Sequence, residues 1–97
     1  MLQELATLAM TANAEAFRRL ETLVAAGDAH GIERVAHTLK GQLAALAAAP
    51  AAAVAARLEM MGQGGDLEGV PQALGELDHE LRRLESVLAE LSRKNAA

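Results

Sequence analysis

The chain has no cysteine, no tryptophan and no tyrosine, and its single phenylalanine is Phe17. Without cysteine there can be no disulfide, no thiol nucleophile and no cysteine zinc cage. The N-terminus has no basic start followed by an apolar run. Together these features lead us to expect a cytoplasmic protein. The longest charge-free stretch, residues 41–56, is mostly alanine and is interrupted by Pro50, so no membrane-spanning segment is expected. A formal net charge of −4 and the lack of aromatic platforms argue against binding nucleic acid. β-Branched residues are too few for a sheet.

What remains is alanine and leucine, 23 and 16 residues respectively in a chain of 97. Both are strong helix formers, and a chain of this length makes one domain with a modest aliphatic core. Three punctuation points divide it. In "AAGDAHG" (25–31), Gly27 suits a helix C-cap and Asp28 the next N-cap. "AAAPAAA" (47–53) ends one helix and places Pro50 in the first turn of another. "GQGGD" (62–66) reads as a flexible turn leading to Asp66 as a further cap. The predicted helices are 2–26, 28–48, 50–62 and 67–93, with Pro71 moving the start of the last toward Val70. The first helix could run straight through or be bent or split near "TAN" (11–13). The fold class is all-α: an antiparallel up-down four-helix bundle spanning residues 1–97 as a single domain. In the last helix, Leu67, Val70, Leu74, Leu77, Leu81, Leu84, Leu88 and Leu91 alternate spacings of three and four, which makes a core-facing seam.

The stretch "HTLKG" (37–41) does not belong to that packing pattern. At about 100° per residue, Ile32, Val35, Ala36, Leu39, Leu43 and Leu46 share an arc roughly opposite His37. His37 is therefore on the solvent face. Lys40, at i+3, lies on the same side. Gly41 lies there too, in mid-helix, where glycine costs about 1 kcal/mol relative to alanine. Ala44 extends this low strip by one turn. Near neutral pH an exposed imidazole offers a free nitrogen lone pair, which makes it a reasonable phosphoryl acceptor, and Lys40 can offset the transferred charge. No phosphate-cradling glycine loop or acidic Mg²⁺ cluster is evident. The chain thus reads as half of a reaction whose metal and acidic pocket come from a partner.

"AHTLKG" (36–41), preceded by "AAGD" (25–28) and followed by an alanine/leucine run, resembles the histidine-containing phosphotransfer (HPt) domain family along nearly the whole chain. The resemblance implies a four-helix bundle that carries a phosphoryl group between a sensor histidine kinase and the aspartates of response-regulator receiver domains. It would be a phosphocarrier with no enzymatic turnover of its own. By position, His37 is the phosphoacceptor, Lys40 the phosphate-facing lysine and Gly41 the small residue that admits the receiver. Ala44, Gln42, Arg34 and His30 are then partner-binding candidates. No intrinsic cofactor is implied, and Mg²⁺ is expected on the receiver. Gln42 and the alanines of "LAAAP" (46–50) stand where many members carry small residues and a glycine.

His30 lies about 10 Å along the helix from His37, too far to share a metal, so no metal site is expected. His79 reads as solvated and Met61 as core filling. Arg18, Arg19, Arg34, Arg82 and Arg83 could form surface ion pairs or help to dock an acidic partner. The expected state is a monomer. The alternatives are a helical adaptor that docks signalling partners without exchanging phosphate, and a dimerisation module built on helix four.

Overall fold

A computed structural model describes the backbone of residues 2–96 and the side chains of residues 4–94. It contains four helices: α1 (Leu2–Ala26), α2 (Ala29–Ala45), α3 (Ala49–Gly64) and α4 (Val70–Ala96). Each packs against its two neighbours in the order α1, α2, α3, α4 and back to α1. Short connections between such neighbours make them antiparallel, which gives the up-down bundle. Leu20, Ile32, Leu39, Leu43, Leu58, Val70 and Leu77 are fully buried and form the aliphatic centre. Truncating one of these leucines to alanine costs on the order of 2–5 kcal/mol.

α1 is one uninterrupted helix with no split at residues 11–13. Thr11 and Asn13 each cost only a few tenths of a kcal/mol in helix propensity, too little to break a helix whose Asn13 is buried against its neighbours. Asp28 caps α2 as expected, its carboxylate accepting the Gly31 N–H at 2.9 Å. α2 ends at Ala45, three residues before the expected 48. Ala47 adopts a left-handed φ of 56°, and the N–H groups of Leu46 and Ala48 both return to the Leu43 carbonyl. α4 begins at Val70 with Pro71 in its first turn. Asp66 therefore does not cap this helix; its carboxylate instead accepts the Glu68 N–H in the preceding turn, at 3.2 Å.

Residues 62–64 are also helical, so the expected flexible turn moves to residues 65–69, and Gly65 ends α3 at φ 75°. Gly62 is buried. A Cβ at this position would lie 2.7 Å from both the Ala29 carbonyl oxygen and the Glu33 nitrogen. The backbones of α2 and α3 meet here, and only glycine fits between them.

The seam of α4 is core where it faces the full bundle and less so beyond it. Val70 and Leu77 are buried, Leu67, Leu74, Leu81 and Leu84 pack half-buried against the core, and Leu91 is exposed. At 1.5 Å per residue, α1 and α4 are about 15 Å longer than α2 and α3. They run past the α2–α3 turn and account for the 48 × 18 × 18 Å shape.

Gly62→Ala is expected to destabilise the domain by about 1–3 kcal/mol, because backbone cannot yield as a side chain can. Urea denaturation measures this; an unchanged midpoint would remove the close-approach argument.

Candidate functional site

The face of α2 turned away from Leu39 and Leu43 carries His37, whose side chain is 67% exposed. The helical register alone would leave this ring a free surface rotor. α3 prevents that by bringing Glu59 against it: His37 Nδ1 lies 2.7 Å from Glu59 Oε2. The other carboxylate oxygen, Oε1, accepts from Lys40 Nζ at 2.6 Å. One carboxylate, 19% exposed, thus holds both functional candidates of α2. It reaches them because Glu59 lies one helical turn before Gly62, where the backbones of α2 and α3 come close together.

An ionised carboxylate can only accept hydrogen bonds. Nδ1 of a neutral imidazole must then carry the proton and donate it to Glu59, which leaves the Nε2 lone pair on the open side of the ring. The Lys40 hydrogen bond, and after it the His37 hydrogen bond, hold the Glu59 carboxyl below the usual carboxylate range.

Gly41 and Ala44 are exposed on the same strip. A Cβ at Gly41 would meet nothing within 4 Å, so the chain's own packing does not require glycine there. Arg34 is exposed, one turn before His37. His30 stands apart from the Glu59 network, with Nδ1 3.6 Å from Glu33. Gln42 is part-buried and faces a cleft between α2 and α1, away from the Gly41–Ala44 strip; Thr38 lines the same cleft. Among the described residues no group of three or more His, Cys, Asp or Glu side chains could hold a metal ion.

Sequence reasoning missed Glu59. The available signal was its scarcity, because α3 carries only two charged residues, Arg57 and Glu59. Both tie α3 to a neighbour: Glu59 to α2, and Arg57 to Glu76 of α4 at 2.7 Å.

Fold and site together define a helical-bundle domain with one carboxylate-anchored imidazole open to solvent. The sequence profile of the Hpt domain matches residues 4–87, and the chain belongs to this family. It is a histidine phosphotransfer protein of phosphorelay signalling, and the domains of this family are phosphocarriers. Among solved structures, it is similar to the histidine-containing phosphotransfer protein B (HptB) from Pseudomonas aeruginosa PAO1. The TM-score is 0.92 at 22% identity, over 95% of this chain and 80% of that one, and the likeness is one of fold. No curated protein matches. No helix among the described residues is long and apolar enough to cross a membrane.

Because the folded-state pKa of Glu59 is lowered, its stabilisation is present above the ordinary carboxylate value of 4.5 and is lost as pH falls through the lowered value. Wild type should therefore exceed Glu59→Gln in stability at neutral pH. The gap should close in acid, as read from urea midpoints at stepped pH. A gap that persists unchanged into strong acid would reject the ion pairing.

Proposed function

We propose that His37 is the phosphoacceptor and that Nε2 is the attacking atom. The observation that carries this reading is the Glu59 carboxylate on Nδ1 at 2.7 Å. The Nε2 lone pair attacks phosphorus, a P–N bond forms, and the bond from phosphorus to the donor oxygen breaks. The leaving oxygen departs with its electron pair, as a carboxylate when the donor is an aspartyl phosphate. Positive charge develops on the imidazole during attack, and the Nδ1–H bond to Glu59 stabilises it, as a carboxylate does for a catalytic imidazole elsewhere. The reverse transfer to a second aspartate uses the same geometry.

Lys40 begins paired with Glu59. Once the dianionic phosphoryl group is on Nε2, it competes for the ammonium, which is one helical turn away. Lys40 then offsets charge on the transferred group. Gly41 and Ala44 keep the approach low, and His30 and Arg34 border it. Phosphoryl transfer depends mainly on in-line positioning and charge neutralisation. In this reading the domain supplies the oriented nucleophile and one cation. Response-regulator receiver domains and a sensor histidine kinase supply the remaining machinery, with Mg²⁺ held by the receiver. The domain works as a monomer in the cytoplasm, where such kinases draw on ATP.

Incubation with phosphorylated receivers or kinases and Mg²⁺ should place an acid-labile label on wild type and none on His37→Gln. Equal labelling of the two would exclude His37. Lys40→Ala should slow transfer by about tenfold or more while the bundle stays folded; unchanged kinetics would reject its charge role. Gly41→Ala should gain up to about 1 kcal/mol of helix stability and yet transfer more slowly to receivers. Faster or equal transfer would show that the strip is not an approach surface.

A further inference from the structure

The cations of this domain are unevenly satisfied. Lys40, Arg57, Arg82, Arg83 and Arg93 each pair with a carboxylate, in turn Glu59, Glu76, Asp78, Glu80 and Glu90. Arg18, Arg19, Arg34 and Lys94 make no ion pair among the described residues, although the chain has 13 acidic residues against 9 basic ones; of these four, Arg34 stands one turn from His37 and shares a cleft with Arg19. With carboxylates in excess, arginines left free beside one another need an explanation.

Both arginines line a single cleft of about 200 Å³ between α1 and α2, which Thr38 and Gln42 also line. Glu15 lies in this cleft too. It stands four residues before Arg19, an order that normally favours pairing, yet the two do not pair. Gln42 adds a second, independent signal. Its Oε1 is buried and accepts no hydrogen bond from any described group, so the fold leaves acceptor capacity of this cleft-lining side chain unused.

The cleft adjoins His37 on the side opposite Lys40. Arg34 lies three residues before His37 and Lys40 three residues after it, about 60° to either side around the helix. Glu59 occupies Lys40, so the unengaged cation beside the acceptor is Arg34, with Arg19 across the cleft.

We propose that the Arg19–Arg34 cleft is the docking groove for the carboxylate-bearing rim of a receiver domain. The proposal rests on the phosphoacceptor reading of His37. A receiver that holds a divalent cation must present carboxylates around it, and its rim meets the flank of His37 whenever its aspartate meets Nε2. Guanidinium forks match carboxylates in two-point geometry. Opposed charges at a rim speed encounter and set register more than they change the chemistry.

Wild type is first labelled with phosphoramidate, a small donor that needs no docking surface; failure to label His37 overturns the phosphoacceptor reading by itself. Labelled wild type and labelled Arg19→Ala/Arg34→Ala are then mixed with a panel of receiver domains, and transfer is followed against receiver concentration. For receivers that accept phosphate from wild type, the half-saturating concentration should rise about tenfold in the variant, while the maximal rate stays within about twofold. Wild-type transfer at sub-saturating receiver should fall steeply with added salt, and the variant's should fall little. Arg19→Lys/Arg34→Lys should recover part of the salt dependence, a response that lost packing alone would not produce. Equal half-saturation and equal salt slopes overturn the docking proposal and leave His37 standing. So does a labelled wild type that no receiver in the panel discharges.

Discussion

The arrangement of this domain depends on the contact at Gly62, where α3 lies against the start of α2 with no side chain between the backbones. α2 and α3 form the most extensive pairing in the bundle, and the absent Cβ is what allows them so close. Closeness at Gly62 determines reach one turn earlier. Glu59 spans from α3 to both His37 and Lys40 with hydrogen bonds of 2.7 and 2.6 Å, lengths that a wider separation would not permit. Arg57 then fixes the opposite side of α3 to α4 through Glu76. An alanine-rich helix with little chemistry of its own thus positions the chemistry of its neighbour.

The resulting site is oriented without being buried. The exposed ring of His37 lets a partner reach Nε2, while Nδ1 is held by a carboxylate that is itself largely shielded. Beneath it, Leu39 and Leu43 are fully buried, so α2 cannot roll without opening the core. A rigid backbone, one fixed tautomer and one open nitrogen are what an acceptor of phosphoryl groups requires, because such transfers are governed by positioning and charge.

Much of this was legible in the chain itself. The wheel through Ile32, Leu39 and Leu43 placed His37, Lys40, Gly41 and Ala44 on the outer face, where the structure has them. Asp28 and Gly27 marked the α1–α2 turn, and Pro71 marked the start of α4 at Val70. The failures have a common form. Residues 62–66 read as a flexible turn because three glycines in the four positions 62–65 usually favour turns, yet Gly62 is helical and packed. Gln42 adjoins Gly41 in sequence, but about 100° of rotation carries it from the approach strip to the α1 side.

The sequence by itself determined which segments are helical and which face of each is buried, and so that His37 stands outside the core. Those properties follow from local spacing, since a helix repeats every 3.6 residues whatever surrounds it. Only the tertiary structure decided that Glu59, 22 positions beyond His37, orients the ring, and that Arg19 and Arg34 share one cleft. The axial register and separation of neighbouring helices are set by close packing across the bundle, and no periodicity within a single helix encodes them.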